Sequence, residues 1–331
     1  MSDPNPPEPD APTERALGDA ATATAEVVVP RLRRHPSATE TVRHALARSV
    51  EQILRHDPAV RLGEDPEDLH QLRVGIRRLR SDLRTFRHLL PADGGTEAGG
   101  DPSSRLRDEL GWIADQTNRL RDLDVLQAWV ERRARSMPHD DQPAVGRLIE
   151  RYQEEAATER AALRRSLASR RYRQLVHDLG ALIDLLGAEP ELGEKAERRA
   201  RRQLDRQVRR RWERLDAAVA RVSGDPTDAA LHRVRIAAKQ CRATAEAVEP
   251  LAGRTMRRFA RSLAELQDVL GAAHDAAVMD ALLRRSSDTP EAFAAGRLAS
   301  LAELDGQAQH ARWPQTWAKV QRRHDRITRL G

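Results

Sequence analysis

Lysine, cysteine, aromatic residues and long apolar runs are all scarce in this chain of 331 residues. Lys195, Lys239 and Lys319 are the only lysines, so the other members of the 57 Lys+Arg total are arginines. A GC-rich genome would produce that bias. So would a need for the planar guanidinium fork, which fits phosphate oxygens. Composition does not separate the two readings; position does. Cys241 stands alone, which excludes an intrachain disulfide and suits a reducing cytosol. It falls on the apolar side of its helix, where a packed thiol is the default reading. Aromatic residues make up 3% of the chain against 39% hydrophobic overall, which favours Leu/Ala helix packing over a Trp/Tyr-rich sandwich. The richest apolar stretch, LGALIDLLGA (179–188), is short and carries Asp184, so no membrane span is expected. No basic n-region followed by an apolar h-region opens the sequence, and cytoplasmic location is the expectation. Nucleotide loops of the G-x-x-x-x-G-K-[ST] or G-x-G-x-x-G type and a G-x-S-x-G elbow are missing too.

What is present is helical period. The first 36 residues hold Pro4, Pro6, Pro7, Pro9, Pro12, Pro30 and Pro36 among acids and small residues, a composition expected to stay disordered. Ser37-Ala38-Thr39-Glu40 reads as a capping box opening a helix to about His56. Asp65-Pro66 supplies an N-cap and N1 proline for a second helix ended by Pro91. PADGGTEAGGDPSS (91–104) reads as a loop. Helical pattern resumes over 105–136, 143–187, about 193–222, 229–249, 254–271, 274–285 and 290–327, with breaks at GAEPELG (187–193) and SGDPTD (223–228). The expectation is an all-α chain of nine to eleven helices: a disordered tail over 1–36, then one domain over 37–328 with halves at about 37–187 and 192–328.

Those halves carry one pattern twice. Setting His70 over His232 places Arg73 on Arg235, Arg77 on Lys239 and Arg80 on Arg242. Leu69, Leu72, Leu79 and Phe86 fall on Leu231, Val234, Cys241 and Val248 in the same register. Further on, NRLRDLDVL (118–126) aligns with GAAHDAAVM (271–279). The pattern reads as an internal duplication, expected to give helical bundles related by a pseudo-twofold axis. On a helical wheel His70, Arg73, Arg77, Arg80, Arg84 and Arg87 fall within an arc of about 100°, beside the arc of Leu69, Leu72, Ile76, Leu79, Leu83, Phe86 and Leu90. Arg78 points elsewhere and is expected in solvent. The second stripe is shorter, because Glu246 stands where Arg84 would be. A single arginine stripe at a core boundary reads as snorkelling side chains; two in register, each opening on His, read as a surface for a polyanion.

At these residues the sequence resembles a known family, the CHAD domains (conserved histidine α-helical domains). LHQLRVGIRRLRSDLRTF is similar to the family's first signature and LHRVRIAAKQCRATAE to its second. RLRDLDVL and LQDVLGAAHDAAV resemble the turn motifs that follow the third helix of each half. The resemblance covers about residues 37–328. It implies two helical bundles around a basic central channel that binds inorganic polyphosphate, association with polyphosphate granules, no catalysis and no cofactor or metal. The implied lining is His70, Arg73, Arg77, Arg80 and Arg84, with His232, Arg235, Lys239 and Arg242. Cys241 and Ala243 depart from the second signature, where the family usually has Leu and Tyr. The Glu-x-Glu-x-Lys signature of a triphosphate tunnel domain is absent, so a stand-alone CHAD protein is expected.

Two further features stay open. KAERRARRQLDRQVRRR (195–211) puts Lys195, Arg198, Arg202, Arg206 and Arg209 on one face, which reads equally as an extension of the channel or as a solvated helix. Arg121-Asp122 reads as an ion pair fixing the turn. The rival functions are two. His232, His274-Asp275 and Asp325 imitate the ligand order of a metal-dependent helical HD phosphohydrolase, but the repeat sets Arg121 over His274, and a guanidinium cannot ligate. A nucleic-acid binder would use the same basic helices. Glu246 and Glu249, the scarcity of aromatics for stacking and the lack of a recognition motif argue against it.

Overall fold

The computed structural model describes residues 27–63, 65–90, 102–188, 192–222, 227–286 and 289–328. Its helices are α1 (Ala38–Leu62), α2 (Pro66–Phe86), α3 (Pro102–Ala134), α4 (Gln142–Ala168), α5 (Arg170–Ala188), α6 (Glu194–Ala220), α7 (Asp228–Arg284) and α8 (Ala292–Thr328), with a 3-10 turn at His139–Asp141 before α4. No strand occurs among the described residues. The all-α expectation holds.

The helix starts follow local chemistry. Ser37 accepts from the Glu40 amide at 3.1 Å while the Glu40 carboxylate accepts from the Ser37 amide at 2.8 Å, which completes the expected capping box. Asp65 caps α2 by accepting from the Glu67 amide at 2.8 Å, with Pro66 just inside the helix. For α7 the expected Asp225-Pro226 signal lies outside the described residues, and the cap is Thr227, whose side chain accepts from the Ala230 amide.

Three boundaries differ from expectation. α1 continues past His56 through Pro58 to Leu62. The stretch 143–187 is two helices: Ser169 is extended, and its hydroxyl accepts from the Tyr172 amide at 3.2 Å, so it caps α5. Conversely, no break separates 271 from 274, and the one expected break that does interrupt Asp228–Arg284 falls at Gly253, whose φ of 74° and ψ of −154° are non-helical. That conformation is open to glycine at little steric cost. No turn interrupts the chain at 118–126 or 271–279; both motifs sit inside helices, α3 and α7.

Of the tail expected over 1–36, only the last ten residues are described. Residues 1–26 and the loop residues 91–101 lie outside the described residues, but 27–36 run non-helically along the domain. His44 Nδ1 donates to the Pro30 carbonyl at 2.8 Å, Arg201 donates to that of Pro36 at 2.7 Å, and Val27 packs on the core.

One hydrophobic core runs through all eight helices. Polar ties join early and late helices at its rim. Arg133 and the Trp129 indole both bond Asp305, Arg147 pairs with Glu291 at 2.8 Å, and Arg297 pairs with Asp141 at 2.8 Å. α2 and the first part of α7, the helices that carry the two sequence signatures, pack against each other.

Candidate functional site

The buried side of α2 is Leu69, Leu72, Ile76, Leu79, Leu83 and Phe86. These residues lock its rotation and leave the basic stripe along one edge. In α7 the buried set is Leu231, Val234, Ala238, Cys241, Ala245 and Val248, the same positions one offset later. Leu90, expected in the apolar arc, lies beyond the end of α2 and is only half-buried.

Between the two helices lies a groove of ≈ 580 Å³. Of the nine expected residues, His70, Arg77, Arg80, Arg84, Lys239 and Arg242 line it. α3 makes room for Arg80: a Cβ at Gly111 would meet its Nη2 at 3.2 Å. The other three are nearby but do not line the groove. Arg73 turns to α3, donating to the Thr117 hydroxyl and, at 3.0 Å, to Asn118 Oδ1. Arg235 makes itself felt electrostatically at Arg77 and Lys239. The His232 ring lies against that of His274, centroids 5.1 Å apart.

Like charges crowd the groove. Arg77 is held below the usual guanidinium range by burial first, then by Arg235, Arg121 and Arg242. Lys239 is held down to about 8, by loss of water and then by Arg77, Arg235, Arg73 and Arg80. Its residue surface is still exposed to the groove, so burial alone is a weak cause and the cations around it matter more. Arg73 is lowered to about 10 by burial and Arg77, with Asp122 opposing. Burial and Arg121 lower the His70 imidazole. No carboxylate appears among the groups acting on Arg77 or among the leading ones at Lys239.

Acidic residues occupy one side of the same groove. Glu246 pairs with Arg242 at 2.8 Å and with Arg78 at 3.6 Å. Arg78, expected in solvent, is therefore a half-buried wall residue, because its long side chain reaches across to Glu246. Asp82, which sequence reasoning missed, is buried and accepts from the Ser49 hydroxyl at 3.1 Å. Burial pushes its carboxyl up to about 7.

The expected Arg121-Asp122 pair does not form. Arg121 bears on His70, Arg73 and Arg77 instead, and Asp122 faces Arg73 and Asp275. This follows from the continuous α3, since adjacent residues on a helix point apart. On α6, Lys195, Arg198, Arg202, Arg206 and Arg209 are all exposed on the side away from the buried Leu204, Val208 and Leu215; Arg198 pairs with Glu194 at 3.2 Å. Among the described residues no three His, Cys, Asp or Glu side chains come together as a metal-holding group, although His232 and His274 approach each other. No helix there is long and apolar enough to cross a membrane.

The family model of the CHAD domain matches residues 44–284. The chain belongs to the CHAD domain family. Among solved structures it is similar to the CHAD domain from the plant Ricinus communis, with 26% identity and a TM-score of 0.65, covering 89% of this chain and 96% of that one. It also shares its fold with PptA from Streptomyces chartreusis, at 19% identity and a TM-score of 0.61 over 85% of this chain and 99% of that one. Uncharacterized protein Rv2226 of Mycobacterium tuberculosis strain H37Rv is 32% identical over 217 residues, 63% of this CHAD chain and 39% of the relative. Uncharacterized protein MT2285 of strain CDC 1551 matches to the same extent. The CHAD match thus spans well under half the length of these mycobacterial relatives.

Proposed function

We propose that this CHAD protein binds inorganic polyphosphate along the groove between α2 and α7, with no bond made or broken, and that binding directs it to polyphosphate granules in the cytoplasm. The observation that carries the reading is the uncompensated charge at Arg77 and Lys239. Arg77 is surrounded by Arg235 and Arg242 of α7 and Arg121 of α3, and Lys239 by Arg73, Arg77 and Arg80 of α2 with Arg235, an arrangement that favours a polyanion as the missing partner. A flexible chain of closely spaced phosphates meets that need by charge-assisted hydrogen bonds and by release of its own counterions. Nucleic acid shares the phosphates but also offers bases to stack. No Phe, Tyr or Trp lines the groove, and stacking platforms are what single-strand binders use.

Calorimetric titration with long-chain polyphosphate over a salt series tests this. The informative variant is Arg77→Ala/Lys239→Ala, because neither removal strands a carboxylate. Affinity is expected to fall steeply with salt in the wild type. In the variant it should fall by roughly tenfold or more, with a shallower salt slope. Equal binding by both proteins would sink the groove reading, and divalent-metal dependence of phosphate release would favour the hydrolase instead.

A further inference from the structure

A second cavity, of ≈ 630 Å³, lies where the last turn of α2 meets α6. Arg84 and Gln240 line both it and the α2/α7 groove, so the two spaces adjoin. Six arginines face the second one: Arg84 from α2, Arg87 just past its end, and Arg206, Arg210, Arg211 and Arg214 from α6. The groove carries Asp82, Glu246 and Asp268 in its lining, whereas no aspartate or glutamate lines this basin among the described residues.

The basin is built, not incidental. Gln207 donates to the Thr85 carbonyl at 2.7 Å, which fastens α6 to the end of α2. Arg211 donates to Gln240 Oε1 at 2.8 Å, which fastens it to α7. Leu204, Val208 and Leu215 are buried and set the rotation of α6 so that Arg210, Arg211 and Arg214 flank the core on the basin side. Burial, then Arg214 and Arg84, lower the Arg211 guanidinium, and burial, then Arg107 and Arg80, lower that of Arg84.

Given the polyphosphate reading above, on which this rests, we infer that the basin is a second phosphate-binding compartment, entered past Arg84 by chains that have filled the groove. Its occupancy makes affinity depend on chain length: short oligophosphates are held by the groove alone and long chains by both compartments. A linear polyanion is the ligand class that fits. The compartments adjoin end to end, and the second offers only guanidinium and neutral amide donors beside one histidine, His88.

The test compares tripolyphosphate with long-chain polyphosphate on the full chain by calorimetry. Arg206→Gln/Arg210→Gln/Arg214→Gln removes basin charge at exposed positions and is expected to fold like the wild type, checked by its melting curve. It should bind tripolyphosphate as the wild type does and long chains roughly tenfold or more weakly, with a reduced salt slope. The matching triple Arg→Lys variant should recover most of that loss, which a misfolded helix would not. Wild-type affinity of the Gln variant for long chains overturns the basin while leaving the groove reading intact. Loss of tripolyphosphate binding in the Gln variant overturns the order of filling proposed here. If Arg77→Ala/Lys239→Ala alone leaves both ligands bound, the groove reading itself fails.

Discussion

At the scale of single residues, proton uptake separates a working groove from a merely basic one. Lys239, with its ammonium near 8 in the free protein, is about half-protonated at pH 8. A bound polyanion favours the charged form and raises that value, so binding at pH 8 takes up protons. By linkage, affinity falls as pH rises through about 8 toward the higher value of the complex. Titrations at pH 8 in buffers of different ionisation enthalpy should report uptake of up to about half a proton from this side chain. Lys239→Arg, charged throughout, should bind yet lose the uptake. Heat independent of the buffer would mean that the ammonium does not meet the ligand. His70 acts in the same sense at lower pH, since its imidazole is depressed in the free protein. The stripe itself was legible in the sequence because three- and four-residue spacing places His70, Arg77, Arg80 and Arg84 on one edge whatever else the chain does. Arg78 and Asp82 were not legible. Their roles depend on Glu246 and Ser49, partners distant in sequence that no local pattern reveals.

At the scale of elements, periodicity located almost all the helical residues, while the joints were harder to read. Gly253 breaks α7 where a joint was expected, but no joint follows at 272–273, and Ser169 ends α4 with only its own hydroxyl as the signal. The basic face of α6 stayed open between channel and solvent for a related reason. Lys195, Arg198, Arg202, Arg206 and Arg209 form a neat stripe, but it lies opposite the buried Leu204, Val208 and Leu215 and only Arg206 of the five lines the basin, because the apolar stripe sets which basic face turns inward. The packing of α1 on α2 gives a prediction at this scale. A Cβ on Gly75 would lie 2.9 Å from Ile53 Cγ1, 3.2 Å from the Ile53 amide nitrogen and 3.3 Å from the Ser49 carbonyl oxygen. Backbone atoms cannot step aside as a side-chain tip can. Gly75→Ala should therefore lose about 1–3 kcal/mol by overpacking, against a gain of up to about 1 kcal/mol in helix propensity. A lowered denaturant midpoint is expected. Gly146→Ala on α4, where nothing lies within 4 Å, should move the midpoint the other way. A stable Gly75→Ala protein would mean that the two helices can slide apart at no cost, and α2 would then be a poor fixed wall for the groove.

For the whole molecule, the charge that matters is local. A net +6 on 331 residues is small, and ion pairs absorb many arginines at the rim, such as Arg119 with Glu155 at 2.7 Å and Arg171 with Glu109 at 2.6 Å. Arg77 and Lys239 stand apart, because two signature helices far apart in sequence bring like charge to a shared wall. That convergence was readable from the repeated pattern, whereas the joining of groove and basin at Arg84 was not, since it depends on how α6 lies across α2. Mutual repulsion along the wall should weaken the ligand-free fold at low salt and be relieved by screening. A polyanion should relieve it too, and by mass action should stabilise by about 2.7 kcal/mol when free ligand is a hundredfold over its Kd. Salt acts on these two effects in opposite directions. The Tm of the free protein should rise as salt is added, while the Tm increment from polyphosphate shrinks, because counterion release drives binding less at high salt. Arg77→Ala/Lys239→Ala should start with a higher Tm in low salt than the wild type and respond to neither salt nor polyphosphate as strongly. Differential scanning over a salt series, with and without polyphosphate, measures all of this in one experiment. If the variant melts lower than the wild type and the free protein is indifferent to salt, then Arg77 and Lys239 hold the fold together, and their positions in the wall would answer to packing instead of to a ligand.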